Sequence, residues 1–426
     1  MDHLLQPSNR RQDLEAKRFI RSEAALEIGK KYIPGGVIGT RRPENFVPEA
    51  YPLYVREGKG SHFFDIDGNE YIDYLAGFGP VILGHAYEVV DNAAVERIRK
   101  GFCFDLSQEV QNALAEKVIG MIPCAEKVIF VLSGSDATTA AIRLARTFTD
   151  RDKIMKFGYT GWHDWSVPVA VGIPAKARED IIPFEYNNIE SAEMVMDKHK
   201  GQIAGVIITP LAHEYNQPLE FPKDHFLQKL RDLTRANGAL LIFDEIRTGF
   251  RLAKGGAQEY FGVTPDLAVF GKAMANGYPI GMVAGRDEVM MAAMKAYISS
   301  TFFFNSFPME AALACLDEIE KREVIPHIWK QGEKLKQGLQ EIVARYEIPA
   351  EVSGPGPMPF LTFVPDTKKK HAERRKLFYT ETTAHGVFVH PFHHWYIFYT
   401  HSDDDIQQTL SVMDKAMETV AKKVRE

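Results

Sequence analysis

Between about residues 80 and 310, apolar runs of strand length alternate with segments of helix length: 128–132, 153–157, 205–209, 239–243 and 267–270 are the clearest runs. That alternation predicts a mainly parallel sheet covered on both faces, with ligands at the carboxyl ends of the strands. Ahead of it, the charged, alanine-bearing stretch 13–31 has helical spacing and stops at Pro34-Gly35-Gly36, which cannot continue a helix. Segments 53–55 and 62–65 read as short strands, and Asp67-Gly68 is a strong hairpin signal. Beyond residue 310 come two long amphipathic helices, 309–320 and 328–346, then short strands and a terminal helix from Asp404. The pattern predicts an α/β protein in three stretches. Residues 1–75 are an N-terminal helix and small β-meander, 76–310 a large domain and 311–426 a smaller α/β domain; the meander is part of the small domain, which both chain ends build.

Composition narrows the class without naming it. With 45% hydrophobic and 25% charged residues, a chain of 426 residues is an ordinary globular protein with room for a large core. A net charge of -6 argues against a nucleic-acid partner, which calls for a basic face. The one basic cluster, Lys368, Lys369, Lys370, His371, Arg374 and Arg375, reads as a solvated loop-to-helix edge. Cys103, Cys124 and Cys315 make neither a disulfide framework nor a CxxC pair, which fits a reducing cytoplasm. The charged N-terminus lacks the apolar core of a secretory signal, and no apolar stretch is long enough to span a membrane.

Candidate chemistry follows the strand ends. Asp244-Glu245 closes the run Leu240-Leu241-Ile242-Phe243, and Gly271-Lys272-Ala273 follows Val269-Phe270. A carboxylate at a buried strand end is costly without a cation beside it, and a protonated pyridine nitrogen is such a cation. A lysine neutralised by desolvation is equally poised to form an imine. A plain structural ion pair between Asp244 and Lys272 stays open on residue chemistry alone. Ser133-Gly134-Ser135 opens a helix after run 128–132, where free N–H groups attract an anion, Gly134 lets it approach and Ser135 adds a hydroxyl. Ordinary N-capping by Ser133, Ser135 or Asp136 is the alternative. Tyr159, near Gly158 and Gly161, either faces a flat cofactor or packs. His390, His393, His394 and His401 lack the cysteines or carboxylates of a metal set, so no metal is assigned. Nucleophile-elbow, dinucleotide and P-loop signatures are missing.

Taken together, these segments resemble the class III (subgroup II) aminotransferases, nearest the glutamate-1-semialdehyde 2,1-aminomutase branch. The resemblance runs from about residue 33 to 402. It rests on Phe64-Asp65-Ile66-Asp67-Gly68-Asn69, Gly79-Pro80-Val81-Ile82-Leu83-Gly84-His85, the Ser133-Gly134-Ser135 turn, Asp244-Glu245-Ile246-Arg247-Thr248-Gly249-Phe250-Arg251 and the Lys272 segment. It implies the fold type I of pyridoxal 5'-phosphate (PLP) transferases, with Lys272 as the Schiff-base lysine and proton shuttle. Asp244 is implied as partner of the pyridine nitrogen, Gly134 and Ser135 as the phosphate turn, Tyr159 as the stacking ring and Ile246 as the apolar residue under the opposite ring face. Thr301 matches a threonine that reaches the phosphate of a neighbouring subunit, implying a homodimer with a shared site. On the substrate side, Arg42 falls where the aminomutase reads a carboxylate, and Phe78, Trp162, Trp395 and Tyr396, with His394 in the C-terminal loop, are further candidates.

Three departures bear on substrate. Thr209-Pro210 stands where the family has Glu-Pro, Thr160 where a histidine is common, and no arginine occurs between Gly386 and Ser402, where many relatives keep one for 2-oxo acids. The expected function is transfer of an amino group from an amine or amino acid to an oxo acid, aldehyde, ketone or oxo-sugar. Intramolecular transfer of the aminomutase type is one alternative, and a non-catalytic PLP-binding protein is another. The expected partners are these small molecules and a second subunit, with no nucleic acid and no membrane.

Overall fold

Seven strands form the central sheet of the computed structural model, which describes residues 19–39, 41–48 and 50–424. In spatial order they are Lys127–Val131, Gly281–Gly285, Leu267–Phe270, Leu240–Asp244, Ile203–Ile208, Lys153–Phe157 and Ile181–Pro183. Neighbours are parallel except Gly281–Gly285, which is antiparallel to both strands beside it. The strands Ile203–Ile208, Leu240–Asp244 and Leu267–Phe270 are buried along their whole length, so their sequences show apolar runs instead of alternation. Their side chains still part by the period of two. Leu241, Phe243, Ala268 and Phe270 enter one core, while Ile242, Leu267 and Val269 enter a second core, shared with Ala137, Ala141 and Leu144 of helix Gly134–Thr149.

All five expected runs are strands, within two residues of the expected bounds. The pattern misses Ile181–Pro183, which is three residues long, and Gly281–Gly285, whose terminal glycines carry no strand signal.

A second sheet joins the two ends of the chain. Val55–Lys59, His62–Asp65 and Glu70–Asp73 are antiparallel, and Val387–Phe388 adds to the last of them in parallel. The expected hairpin turns at Gly68, with φ at +90°, while Asp65 accepts hydrogen bonds of 2.7 Å from both the backbone and side-chain nitrogens of Asn69. The leading helix is Ile20–Gly29, and the first part of its expected span, 13–18, lies outside the described residues. Helices Phe307–Lys321, Val324–Tyr346 and Asp403–Lys423 match expectation, the last with a Ser402–Asp405 capping box. The basic cluster does open a helix, Lys370–Ala384, as its loop-to-helix reading expects, but Arg374 is buried in it and not solvated. Its threonines Thr382 and Thr383 are buried, so its inner face does not look apolar in the sequence. No described helix is long and apolar enough to cross a membrane.

Candidate active site

The carboxyl ends of the parallel strands open onto a cavity of about 240 Å³. On one side Ser133 caps helix Gly134–Thr149: its hydroxyl donates to the Asp136 carboxylate at 2.6 Å and accepts from the Asp136 N–H. Ser133 is thus the cap, and Gly134 and Ser135 keep first-turn N–H groups that the helix itself cannot satisfy. The Ser135 hydroxyl accepts the Trp162 N–H at 3.1 Å, which leaves its own proton free to donate. Thr138 donates to the Thr160 carbonyl at 2.7 Å, and Thr139 Oγ1 lies 2.7 Å from His163 Nδ1. These bonds strap the loop carrying Tyr159 and Trp162 onto the first turns of the helix.

Asp244 and Lys272 both line the cavity, yet no ion pair closes between them. The structural ion-pair alternative is therefore not what holds them. Burial raises the Asp244 carboxyl to about 7 against the pull of Lys272 and Lys156, and its Oδ1 accepts the Ile246 N–H at 3.1 Å. Burial first, and then the neighbouring Arg247, push the Lys272 amine well below its ordinary range, with Asp244 opposing. Lys272 also holds a left-handed φ of 44°, a strained conformation for a residue with a side chain. It opens the turn Lys272–Ala275, and the next residue, Asn276, accepts from the N–H groups of Ile82 and Leu83 at 2.9 Å and donates to the Gly84 carbonyl at 3.0 Å. The Gly79–His85 motif is thereby fastened to the lysine turn.

Ile246 packs between two glycines. A Cβ on Gly134 would stand 3.0 Å from Ile246 Cδ1, and one on Gly271 would stand 3.3 Å from it. Tyr159 and Trp162 line the cavity and are 47% and 68% exposed. Arg247 also lines it, with its guanidinium 5.7 Å from the Tyr159 ring centre.

Of the other expected residues, Arg42, Phe78 and His394 do not line the cavity. Arg42 is exposed beside Gly35, where a Cβ would fall 2.9 Å from its Nε. Phe78 is taken up by the His390 and His393 rings, with Arg41 lying 5.5 Å over it. His394 is buried behind the cavity wall, hydrogen-bonded to the Tyr396 hydroxyl at 2.9 Å and edge-on to the His213 ring. Thr301 is exposed at the start of the turn Thr301–Phe304. Sequence reasoning gave no role to Thr138, Thr209, His213 and Arg247, all of which line the cavity. Thr209, His213 and Arg247 stand just past strand ends, the signal that could have found them.

Three lining residues carry buried polar atoms without a partner: Thr160 Oγ1, Thr209 Oγ1 and His213 Nε2. Add a carboxyl that burial raises to about 7, an amine without an ion pair and first-turn amides, and the set fits PLP, whose ring nitrogen, aldehyde and phosphate supply the three missing partners. Among the described residues no group of three or more His, Cys, Asp or Glu side chains is placed to hold a metal ion.

A family model for class-III aminotransferases matches residues 46–417. The 3-aminobutyryl-CoA aminotransferase of Cloacimonas acidaminovorans is 43% identical over 410 residues, covering 96% of this chain and 99% of that one. The glutamate-1-semialdehyde 2,1-aminomutase of Persephonella marina is 36% identical, covering 92% and 97%. Among solved structures, the PLP internal aldimine form of the Sphingopyxis sp. MTA144 FumI protein superposes with a TM-score of 0.91 at 30% identity, covering 95% of this chain and 98% of that one.

Proposed function

The chain belongs to the class-III aminotransferase family, and on that premise we propose that Lys272 anchors the cofactor as a Schiff base and carries the proton during amino transfer. The protein is a PLP-dependent transaminase that moves an amino group from a donor to a carbonyl acceptor. The observation that carries the assignment of roles is the pairing, in one cavity, of a partnerless Lys272 with a buried Asp244 raised to about 7.

When bound, the cofactor supplies an aldehyde that captures amines and a ring that draws electrons from the carbon bearing the nitrogen. Burial pushes the Lys272 amine well below its ordinary range, which favours the neutral, nucleophilic form. Its Nζ would hold the cofactor aldehyde and, when free, would be the group that moves a proton at the substrate carbon. Asp244 would keep the ring nitrogen protonated. Gly134 and Ser135 would bind the phosphate through the helix N-terminus, with Tyr159 over one ring face and Ile246 under the other.

The donor we propose is a 3-amino acid or its thioester, a reading supported by the 43% identical relative that acts on 3-aminobutyryl-CoA. We take Trp162, which lines the cavity, as a substrate-binding residue. We take residues 76–310 as the large domain, and 1–75 with 311–426 as the small one, since strands from both stretches share a sheet. A homodimer completes the site through Thr301; the exposed Met294, Tyr297, Phe302 and Phe304 nearby in sequence support such an interface. Its three unpaired cysteines suit the cytoplasm.

The test is the visible spectrum of the purified protein with a panel of amines, 3-amino acids and their thioesters, and Lys272→Ala as control. A lysine–cofactor band that one donor bleaches in wild type alone supports the assignment and names the donor class. A wild type showing no cofactor band after PLP is added overturns it, and turnover of a single labelled substrate without acceptor would replace transamination with an aminomutase reaction.

A further inference from the structure

We propose that Arg247 is the carboxylate-binding residue of this site, its guanidinium fork taking the carboxylate of the free amino-acid or oxo-acid substrate. The inference rests on the transaminase reading above and adds to it the chemistry that one of the two substrates must carry.

Three side chains lining the cavity are acidic or basic: Asp244, Lys272 and Arg247. The first two are spoken for by the cofactor nitrogen and aldehyde. Arg247 is left without a carboxylate or hydrogen-bond partner among the described residues. The attractive interactions it has with the protein are with the phenols of Tyr396 and Tyr159, both of which burial keeps in the neutral form. The imidazoles beyond it add no counter-charge either, since burial and Arg247 itself hold His393 and His394 neutral. A half-buried cation beside a reactive lysine, with no anion supplied by the fold, is an anion site awaiting its ligand.

The turn that presents Arg247 is rigid. Glu245 accepts from the N–H groups of Ala257 and Gln258 and from the Thr248 hydroxyl, and Asp244 accepts from the Ile246 N–H. With Ile246 wedged against Gly134, the next side chain along is held at the cavity over the Tyr159 ring, in cation–π range at 5.7 Å. A planar fork aimed by its backbone suits the two oxygens of a carboxylate, which a lysine would meet only as a point charge.

The other arginines close by are engaged elsewhere. Arg251 donates to the carbonyls of Ile397 and Gly79, Arg41 lies over Phe78, and Arg42 is exposed beside Gly35. The C-terminal stretch from Gly386 to Ser402 holds no arginine at all. Carboxylate recognition has therefore moved to the turn after the strand that carries Asp244.

The experiment compares wild type with Arg247→Met and Arg247→Lys, each loaded with PLP and checked for its visible band. Three quantities are measured: kcat/KM for the best free amino-acid donor, kcat/KM for the amine lacking that carboxylate, and the Kd of an unreactive carboxylate such as butyrate, read from its perturbation of the band. The expected result for Arg247→Met is a loss of about 100- to 1,000-fold with the amino acid, a matching loss of butyrate affinity, and little change with the amine. Arg247→Lys should recover part of both losses. The amine arm also reports folding, since a misfolded variant loses it too, and Arg247→Lys then decides. Equal losses on acid and amine with the cofactor band intact, or in Arg247→Lys where Arg247→Met misfolds, no loss at all, or a wild type that turns over no free acid each overturns the assignment. No band in wild type sinks the transaminase reading and this one with it, whereas an intact band with equal losses sinks this one alone.

Discussion

Gly161 lies directly against the Ser135 side chain: a Cβ there would stand 2.7 Å from Ser135 Oγ, at a backbone φ of +117°. The residue after it, Trp162, donates its N–H to that same hydroxyl. Glycine at 161 is what lets the aromatic loop close over the first turn of helix Gly134–Thr149.

Gly161→Ala is therefore expected to push the loop off Ser135 and weaken cofactor binding at least about tenfold, a cost of about 1.4 kcal/mol or more. Equilibrium dialysis against PLP measures it, with far-UV circular dichroism unchanged. Wild-type affinity in the variant would mean that the loop does not help hold the phosphate.

Asp244→Asn should act in opposite directions on the empty and loaded protein. The folded carboxyl titrates at about 7 and the unfolded one at the ordinary 3.8, so between those values the folded state holds the extra proton. Stability contributed by this group falls as pH rises through that window. The amide should raise the melting temperature of the cofactor-free protein at pH 8 and leave it nearly unchanged at pH 4. In the loaded enzyme it removes the partner of the ring nitrogen, and the half-reaction should slow by about 100-fold or more. A variant as fast as wild type would remove Asp244 from the chemistry.

His62 and Asp405 set a pH window for the joint between the N-terminal meander and helix Asp403–Lys423. Their contact is 2.9 Å, and Glu70 lies 3.0 Å from the other ring nitrogen. The hydrogen bond to Asp405 raises the His62 pKa above 6.5 despite burial. Burial alone would raise Asp405, but hydrogen bonds from His62, Ser402 and Ser61 hold it below its ordinary 3.8. The His62 contribution is complete below 6.5 and lost as pH rises through its raised value; that of Asp405 is complete above 3.8 and lost as pH falls through its lowered value. His62→Gln should cost about 1 kcal/mol at pH 6 and less at pH 9, read from urea midpoints. An equal cost at both pH values would show that the contact is not an ion pair.

Phe302, 55% exposed beside Thr301, tests the shared site. Phe302→Asp places a charge in the proposed interface and should shift light-scattering mass from dimer to monomer, with activity falling in proportion to the dimer lost. A monomeric wild type would remove Thr301 from cofactor binding.

Much of the site was legible because strand-end position is a local signal. Asp244 and Lys272 directly follow apolar runs, and Ser133-Gly134-Ser135 follows another, so each could be singled out without knowing where the others lie. The substrate side was not legible in this way. Arg42 matched by position in the chain, yet the segment holding it turns its guanidinium beside Gly35, away from the cavity. Arg247 stood inside a quoted motif without a role, because what marks it is the lack of a counter-ion, and partners are a property of the packed molecule.

The sequence alone determined the alternation of strands and helices, the parallel sheet and several residues at its cavity-lining edge, since periodicity and burial cost act over a few neighbouring positions. The tertiary structure decided that Gly281–Gly285 enters the sheet antiparallel, that both chain ends share a second sheet and that Asp244 and Lys272 meet one cavity without pairing. Those outcomes depend on contacts between segments far apart in the chain, where desolvation and close packing choose among partners that no local pattern specifies.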